Sequence, residues 1–544
     1  MNYTKTIRRA MGGIALISAL LFATNSYSQP FADHYNYSDE DGHSESCTSI
    51  VVSKGASSDG SVMTAHSCDS NYRTWLTIEP PKTYKDGKDI IKWGLLHTEE
   101  PYDIRRVSEK GSIPAKAGET FRFLNVAYPC LNEKQLAIGE TTTEGKRELV
   151  NDKGLFLIEE LERVALERCD NARDAIRLMG SLAEEYGYGD WGECLTVIDK
   201  NEAWFFEIYG TGKSGKKPGA MWVAQRIPEG EVGVSANVPK IGVVEFDKPE
   251  KFMYSKDLKE RAKELKIWDG KSEFKFYPMV TTYGKNFMWR EYMVLSKLAP
   301  SLGLKYTDDE MPFSVVPDEK VTPERMFAFY RETFAGTEFD PIKDLKIAVK
   351  RRNSDITDTI APISPFMPNN VRTLLNTLKP DVAPRIRTIA VIQCSYSHVL
   401  RLRNWLPDEI GGVAYFSFDN PAQSPRIPIY AGQTELPDGF GVCGQHRYRK
   451  DAAIWDFRET NRLATVCWDR SEKLINEAVA SYEKEMMEQT AELEKKAAEL
   501  IKEGKKDEAV KMLNDYCKKT SASQRYTWRE DLKAKIMMYL VRSL

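Results

Sequence analysis

The sequence predicts an α+β fold in which mixed sheets are covered by helices on their outer sides. Between Cys47 and about Ile241, short runs rich in β-branched and aromatic residues alternate with glycine turns, which is typical of strands. A convincing helix pair interrupts these runs, and the last 75 or so residues are rich in Glu, Lys, Ala, Met and Leu. A chain of 544 residues with 42% hydrophobic content can bury a large core, as one large domain or as two.

The elements follow in order along the chain. The predicted strands of the first part lie at residues 47–52, 61–65, 135–138, 195–198, 203–208 and 221–225, and its helix pair at 154–167 and 171–185. Residues 251–337 are mainly helical with loops, and β-like runs return between 346 and 428, including 388–393 and 412–418. Residues 470–544 form a helical C-terminal region in which Gly504 separates two helices, 491–502 and 507–518. The charge run of this region indicates a solvated helix face.

The N-terminus carries the pattern of a secretory signal. Residues 1–28 combine a basic start, an apolar run from Ile14 to Ala23 and a small-residue exit at Ser26 and Ser28. The apolar run is too short for a membrane span, and no Cys follows it as a lipid acceptor. We therefore expect an exported protein without a membrane anchor, located in the periplasm or secreted. Residues 29–46 contain almost no aliphatic side chains and are interpreted as a removable pro-segment or a disordered lead-in.

Composition excludes several classes of function. A net charge of −3 without a basic stripe interleaved with aromatics argues against a nucleic-acid partner. The nine Cys show no paired framework and no CxxC motif, and six His are too few to predict a histidine zinc site. The sequence thus predicts no metal and no cofactor, and it leaves disulfide pairing and oligomeric state, a homo-oligomer included, open.

Cys47 is the candidate nucleophile. It opens a strand-like run directly after the predicted pro-segment, so cleavage before it would create an N-terminal Cys. Such a residue carries a thiol and an α-amine whose pKa near 7.7–8.0 suits a general base. A separate Cys–His pair, or a Cys that is simply buried in a strand, are the alternatives. The following strand, an Asp59-Gly60 turn and a returning strand bring His66 and Asp69 back beside Cys47.

This hairpin resembles that of the dipeptidase A family of N-terminal-nucleophile (Ntn) cysteine hydrolases, which includes the secernins and is related to bile-salt hydrolases and penicillin V acylases. Further similar segments follow in order: NEKQLAIGETT at 132–142, GYGDWGE at 187–193, VSANVPKIG at 234–242, Trp289-Arg290, and the run 389–430. The resemblance implies an αββα sandwich of two stacked antiparallel sheets flanked by helices. It also implies that residues 47–469 form the catalytic domain.

The resemblance assigns roles to individual positions. Cys47 corresponds to the nucleophile, released by autocatalytic cleavage of the Ser46–Cys47 bond. Asp69 corresponds to the Asp that holds the new α-ammonium, with a turn-capping Asp as the alternative. Asn237 corresponds to the Asn that donates to the oxyanion, with a loop Asn beside Pro239 as the alternative. Arg290 corresponds to an Arg supporting the nucleophile, and an ordinary helix-surface Arg is the alternative.

Two parts of the pocket are less well defined by the resemblance. Many relatives have Arg-Asn where this chain has His66-Ser67, so His66 is either a partly charged replacement for that Arg or a neutral wall residue. In the segment 132–142, Asn132 is expected to shape a turn or contact substrate, whereas Glu140 and Thr141 line the pocket or serve the structure. An acidic residue, Glu140 or Asp190, is suited to bind a substrate's ammonium group.

The implied reaction is acyl transfer. The Cys47 thiolate attacks an amide carbonyl, Asn237 and a backbone N–H hold the oxyanion, the amine protonates the leaving group, and water cleaves the thioester. The resemblance points to dipeptides as substrates, with a small acylated amide as the alternative of the bile-salt and penicillin acylase type. The second alternative is a non-catalytic interaction protein of the secernin kind.

Overall fold

A computed structural model describes residues 46–70, 72–94, 107–212, 219–445 and 447–543. The predicted signal peptide and all of the predicted pro-segment except Ser46 lie outside the described residues. Residues from Ser46 onward form one compact unit. No helix within the described ranges is both long enough and apolar enough to cross a membrane.

Most of the strands belong to two antiparallel sheets. The seven-stranded sheet has the order β14-β12-β1-β2-β17-β18-β19 and the eight-stranded sheet the order β13-β11-β10-β9-β8-β7-β6-β3, while β4-β5 and β15-β16 are separate hairpins. The strands are β1 Ser46–Val52, β2 Val62–Asp69, β3 Thr77–Glu79, β4 Lys88–Trp93, β5 Ser108–Pro114, β6 Phe123–Asn125, β7 Leu131–Asn132, β8 Leu136–Glu144, β9 Gly192–Asp199, β10 Ala203–Gly210, β11 Ala220–Arg226, β12 Val232–Ser235, β13 Phe252–Tyr254, β14 Ser314–Val315, β15 Ile347–Lys350, β16 Thr357–Ile360, β17 Cys394–Leu402, β18 Val413–Phe418 and β19 Ile427–Tyr430.

The helices lie between and after these strands. They are α1 Ile158–Arg168, α2 Ala172–Tyr186, α3 Leu258–Glu264, α4 Phe276–Val280, α5 Trp289–Leu298, α6 Pro323–Tyr330, α7 Asn369–Leu378, α8 Asp408–Gly411, α9 Ala453–Val466, α10 Trp468–Lys502, α11 Lys506–Tyr526 and α12 Lys533–Ser543. Residues Thr527–Leu532 continue α11 into α12 as a π-helical segment. Asn171 begins α2 as its N-cap, because its side chain accepts the backbone N–H of Asp174 at 2.9 Å.

The two large sheets pack face to face, and polar side chains join them at the centre. The hydroxyls of Thr64 on β2 and Thr196 on β9 lie 2.6 Å apart, and Ser49 on β1 donates to the Glu140 carbonyl on β8 at 2.9 Å. Gly139 allows this close approach, because a Cβ there would lie 2.7 Å from the Thr196 hydroxyl. The middle parts of β1, β2 and β8 are therefore held against one another.

Helices cover the outer sides of both sheets. On the eight-stranded sheet, Gly180 of α2 lies against the Trp222 ring of β11 so closely that a Cβ would clash with it. On the seven-stranded sheet, Tyr330 of α6 donates to the Thr48 carbonyl at 2.7 Å. The Tyr482 hydroxyl of α10 donates to the Arg426 carbonyl beside β19 at 3.0 Å. The predicted α+β class is confirmed, and the helical C-terminal region covers one side of a sheet.

Two local predictions differ from the structure. Residues 388–393 form no strand, and β17 begins only at Cys394. The chain before Cys394 follows an irregular path, because the Arg387 side chain is held by hydrogen bonds to Ser46 of β1 and Asp69 of β2. The connection from β1 to β2 is also wider than a two-residue hairpin: it spans residues 53–61 and includes a 3₁₀ turn at Lys54–Ala56. Gly60, with φ at 83°, still makes the final turn into β2.

Candidate active site

Cys47 lies at the start of β1, at the centre of the seven-stranded sheet, and its backbone is held on both sides. Its N–H donates to Asn237 Oδ1 at 3.0 Å, and its carbonyl accepts Arg290 Nη1 at 2.5 Å. The pairing of Ser49 with Ser235 between β1 and β12 explains the first contact, because continuing that register by two residues places Asn237 opposite Cys47. The strand pairing thus positions the amide nitrogen that would become the N-terminus.

Asn237 and Arg290 form one network around that nitrogen. Arg290, at the start of α5, donates from Nη2 to Asn237 Oδ1 at 2.8 Å and to the Ala236 carbonyl at 3.0 Å. Because Cys47 and Arg290 both donate to Oδ1, the amide orientation is determined, and Nδ2 donates to the Thr142 carbonyl at 2.7 Å. Asn237 has a φ of 68°, a left-handed conformation that Asn tolerates better than most residues. Arg290 is buried at 5% exposure, which rules out the alternative of a surface helix Arg.

The Cys47 thiol is fully buried among other reactive side chains. Cys68 pairs directly with Cys47 across β1 and β2, and the two thiols are hydrogen-bonded. A ring nitrogen of His66 and the two Sγ atoms all lie within 4.8 Å of one another. Burial, the Cys68 thiol and the nearby Glu140 carboxylate together raise the pKa of Cys47 well above its ordinary value. With the Ser46–Cys47 bond intact, the thiol is therefore protonated at neutral pH.

Asp69 lies on the strand opposite Ser46 and is paired with an arginine. Arg387 Nη2 donates to Asp69 Oδ2 at 2.6 Å, and Arg387 Nε donates to Ser46 Oγ at 2.8 Å. The Ser67 hydroxyl donates to the same carboxylate oxygen at 2.8 Å. Asp69 is fully buried, and Arg387 is its salt-bridge partner. This guanidinium bridges the residue before the predicted cleavage point and the carboxylate predicted to hold the new amine.

His66 does not supply a positive charge to the site. Its ring is fully buried between Tyr128, Tyr396 and His398, and burial lowers its pKa to about 4. His66 is therefore neutral at physiological pH, which favours the neutral alternative over a charged replacement for the usual Arg. Its Nδ1 lies 2.7 Å from the Glu140 carbonyl and 3.3 Å from the Glu140 backbone nitrogen, and the shorter contact favours a ring proton on Nδ1.

Buried carboxylates lie next to the thiol. Glu140 is hydrogen-bonded to Cys47, and Glu193 on the neighbouring strand β9 is hydrogen-bonded to Glu140. Burial raises the pKa of Glu140 to about 7, and burial together with the Glu140 charge raises that of Glu193 well above its ordinary value. Within the described residues, Oε2 of each carboxyl has no hydrogen-bond partner. By contrast, both Asp190 oxygens accept backbone N–H groups, from Ile158 at 3.2 Å and Trp191 at 2.9 Å.

Two residues of the segment 132–142 are occupied by structural contacts. Asn132 donates to the carbonyls of Leu166 and Cys169 at 2.8 Å, and its Oδ1 accepts two backbone N–H groups across the turn that follows β7. These bonds leave the predicted substrate contact of Asn132 without support and favour its role in the turn. The Thr141 hydroxyl lies 2.6 Å from the Ser235 hydroxyl and donates to the Cys194 carbonyl, so it joins the two sheets.

Three further residues of the site, Arg387, Cys68 and Glu193, were not predicted from the sequence. Arg387 lies 318 residues from Asp69 in a stretch without regular structure, and no local pattern marks it. Cys68 could have been found, because a register that places Asp69 opposite Ser46 also places Cys68 opposite Cys47. Glu193 belongs to the segment 187–193, in which Asp190 was the acid predicted to bind an ammonium group.

Comparison with known proteins gives a consistent result. Residues 46–483 match the model of peptidase family C69. A probable dipeptidase of Latilactobacillus sakei is 22% identical over 75% of this chain and 78% of its own length. Dipeptidase A of Lactobacillus helveticus is 22% identical over 84% of this chain and 89% of its own length. A probable dipeptidase of Salmonella dublin is 24% identical over 80% of this chain and 94% of its own length.

Proposed function

Because the chain belongs to peptidase family C69, we propose that it is an exported dipeptidase that uses Cys47 as an N-terminal nucleophile. The family and the names of the relatives identify a hydrolase of the cysteine-type dipeptidase class. The nucleophile, the maturation step and the export are parts of our proposal. Stacked antiparallel sheets with helices on their outer sides support its assignment to the Ntn hydrolases.

The observation that carries the proposal is the environment of Cys47. Its nitrogen is bound by Asn237, its carbonyl by Arg290, and its sulfur lies beside Glu140. Any buried residue needs partners for its backbone groups, but a Cys that served only to fill the core would need neither the Asn237 and Arg290 side chains as those partners nor a carboxyl group at its sulfur. Fixing the nitrogen and the sulfur of one residue at the same time is what an N-terminal nucleophile requires, because its amine must exchange a proton with its own thiol.

Maturation begins from the intact chain. The Cys47 sulfur attacks the Ser46 carbonyl while its proton passes to a nearby base, for which Glu140, with a pKa of about 7, is suited. The peptide C–N bond breaks, the nitrogen of Cys47 takes a proton, and a thioester joins Ser46 to the sulfur. Water then cleaves the thioester, leaving a Ser46 carboxylate and a free N-terminal Cys47. Asp69 and Arg387 hold Ser46 in place during these steps.

Substrate hydrolysis repeats this chemistry on a dipeptide. The free amine takes the thiol proton, the thiolate attacks the carbonyl, and the amine returns the proton to the leaving amino acid. Water hydrolyses the thioester and regenerates the thiol. Asn237 Nδ2 donates one hydrogen to Thr142, and its second hydrogen is directed to the oxyanion together with a backbone N–H. Arg290 keeps the Asn237 amide in this orientation.

The buried carboxylates give the proposal its substrate class. A dipeptide carries an ammonium group close to the carbonyl that is attacked, and a buried cation requires an anionic partner. Glu140 beside the Cys47 sulfur and Glu193 beside Glu140 each have an unpartnered oxygen, and the positive charge of a bound ammonium group would lower the pKa of these carboxyls and favour their ionised form. An acylase pocket for an apolar acyl group would not need these acids, so they favour a dipeptide over an acylated amide. Asp190, the other acid considered, uses its oxygens to hold the start of α1 and the adjacent backbone.

The maturation step is tested by determining the N-terminus. Wild type and Cys47→Ala are purified from an exporting host and examined by intact mass and N-terminal sequencing. We expect wild type to begin at Cys47 and the variant to retain Ser46. The matched control is Cys517→Ala, which removes a different fully buried Cys and should still mature. A wild-type chain that keeps Ser46 and hydrolyses no dipeptide contradicts the proposal and supports the non-catalytic alternative.

The substrate class is tested with paired substrates. Each dipeptide is compared with its N-acetylated form, which lacks only the positive charge. We expect wild type to prefer the free dipeptide, and Glu193→Gln to raise KM for the free dipeptide by about tenfold or more while changing KM for the acetylated form little. A preference for the acetylated substrate would instead support the acyl-amide alternative.

A further inference from the structure

Cys47, His66 and Cys68 form a set of potential metal ligands that no sequence motif predicts. Cys47 and Cys68 are direct partners across β1 and β2, and His66 lies two residues before Cys68 on the same strand. Because side chains alternate along a strand, His66 and Cys68 project from the same side of β2. Their ligand atoms and the Cys47 Sγ all lie within 4.8 Å of one another, and all three residues are fully buried.

The protonation of His66 suits it to bind a metal. Its Nδ1 lies 2.7 Å from the Glu140 carbonyl and 3.3 Å from the Glu140 backbone nitrogen, and the shorter contact favours Nδ1 as the donor. This is the usual arrangement of a zinc-binding histidine, in which one nitrogen donates to a carbonyl and the other keeps its lone pair for the metal. Within the described part of the chain Nε2 has no hydrogen-bond partner, although the ring is fully buried.

A fourth donor is next to the thiol. Glu140 is hydrogen-bonded to Cys47, and its Oε2 has no partner among the described residues. Two thiolates, an imidazole and a carboxylate are a donor set that favours Zn²⁺ over the harder Ca²⁺ and Mg²⁺. A tetrahedral zinc with Zn–S near 2.3 Å and Zn–N near 2.0 Å requires ligand atoms about 3.3–3.8 Å apart, which is compatible with atoms that all lie within 4.8 Å of one another.

We propose that Cys47, Cys68 and His66, with Glu140 beside them, bind one Zn²⁺ ion that reversibly blocks the nucleophile. Binding replaces the two thiol protons by two S–Zn bonds and releases both protons to solvent, without any change of oxidation state. The Cys47 sulfur is then unable to attack a carbonyl. The metal is therefore an inhibitor, and hydrolysis itself does not require it. The blocking effect rests on the proposed function, whereas the binding site stands independently of it.

Cobalt spectroscopy tests the site without any substrate. The purified full chain, kept reduced with a phosphine so that no Cys47–Cys68 disulfide forms, is titrated with Co²⁺ at constant pH and then with Zn²⁺. We expect one equivalent of Co²⁺ to produce a thiolate charge-transfer band and the visible bands of a tetrahedral ion, and Zn²⁺ to remove both. Absence of the thiolate band in wild type overturns the proposal.

Variants locate the site. Cys68→Ala and His66→Gln should bind Co²⁺ at least about tenfold more weakly than wild type. Cys517→Ala, which removes a buried Cys of α11, should bind as wild type does. Cys68→Ser serves as a second variant, since Ser preserves the side-chain size, and thermal melts establish that each variant is folded. Equal Co²⁺ affinity of wild type and a folded Cys68 variant also overturns the proposal.

Inhibition is measured separately, and each variant is compared with its own metal-free rate. Zn²⁺ should inhibit dipeptide hydrolysis by wild type, and a chelator should restore it. Cys68→Ser should need about tenfold or more additional Zn²⁺ for the same inhibition. A chain that shows the cobalt bands but hydrolyses no dipeptide would contradict the proposed function and leave the metal site established. A chain that hydrolyses dipeptides but shows no cobalt bands would contradict the metal site and leave the proposed function standing.

Discussion

At the scale of single residues, the guanidinium of Arg387 connects the two halves of the proposed cleavage site. It donates to the buried Asp69 carboxylate and to the Ser46 hydroxyl. A charged hydrogen bond of this kind is geometrically specific, because the planar guanidinium presents several N–H groups at fixed angles. In the proposed maturation step Arg387 is therefore a positioning residue, which would orient the scissile bond without touching the reacting sulfur.

Replacing Arg387 by Ala should slow maturation and destabilise the fold. The buried Asp69 carboxylate would lose its salt-bridge partner and keep the hydrogen bond from the Ser67 hydroxyl, and this loss costs about 3–5 kcal/mol of unfolding free energy. Arg387→Lys keeps the positive charge but lacks the several N–H groups of the guanidinium. Its maturation rate and its unfolding free energy should therefore lie between those of wild type and Arg387→Ala. Urea denaturation and a time course of intact mass measure the two effects. The exposed Arg385, two residues earlier, provides the control Arg385→Ala. Maturation of Arg387→Ala at the wild-type rate would contradict the positioning role.

The amide of Asn237 can be removed without straining the backbone. Its φ of 68° suits glycine, so Asn237→Gly deletes the side chain and keeps the local conformation accessible. We expect kcat on a dipeptide to fall by about 10²- to 10³-fold with little change in KM, because an oxyanion donor acts in the transition state. The rate is normalised to the fraction of chains that begin at Cys47. A kcat within about threefold of wild type would remove Asn237 from the oxyanion site.

Residues differ in how well the sequence could identify them. Cys47, Asp69, Asn237 and Arg290 follow family segments, and the structure brings them, or the backbone next to them, together. Arg387 could not be found in this way, because its contact with Asp69 depends on the path of an irregular segment. The charge state of His66 also depends on burial between two sheets, which its local sequence does not specify.

At the scale of elements, strands and helices with strong periodicity were predicted best. The helix pair α1 and α2 and the strands β9 to β11 agree with their predicted positions within a few residues. The strand predicted at 388–393 is wrong, although this segment is rich in β-branched residues. The adjacent Arg387 makes tertiary contacts, and the chain follows an irregular path there. Very short strands such as β7 and β14 had no signal of their own, because two residues cannot show a period.

The break between α10 and α11 is a helix end that glycine alone fits well. Gly504 has a φ of 81° and is exposed, with no atom within 4 Å of a built Cβ. Gly504→Ala should therefore lower the unfolding free energy by about 1 kcal/mol through backbone strain alone, and Gly504→Asn by less. The matched control is Gly284→Ala, where the Cβ also meets nothing within 4 Å but no positive φ occurs. Equal stability of the two Ala variants in urea would contradict this explanation.

At the scale of the whole molecule, the fold buries an unusual number of carboxyl groups. Glu140, Glu159, Glu162, Glu193 and Glu207 are all less than 4% exposed, and burial raises the pKa of each. The sequence predicts the layers of this molecule, because periodicity and turns are local. It does not predict which acids become buried, because that depends on how the layers stack. Stability of the whole fold should accordingly depend on pH.

Glu207 isolates this dependence, since it takes no part in the proposed chemistry. It is fully buried on β10, and its Oε1 accepts the backbone N–H groups of Lys240 and Ile241. Burial raises its pKa from 4.5 to about 7. The folded state therefore binds the proton more tightly than the unfolded state. The resulting stability is fully present below the unfolded pKa and is lost as pH rises through about 7, by about 3 kcal/mol in total.

Glu207→Gln should remove that loss, because the amide keeps an accepting oxygen but does not ionise. Relative to wild type, the variant should gain up to about 3 kcal/mol of unfolding free energy between about pH 5 and about pH 8. Urea denaturation across this range measures the difference. Glu229→Gln, at an exposed position, should follow the wild-type pH profile. If Glu207→Gln also follows it, the Glu207 carboxyl ionises in the folded protein as readily as in the unfolded chain, and burial of acids does not set the pH dependence of this fold.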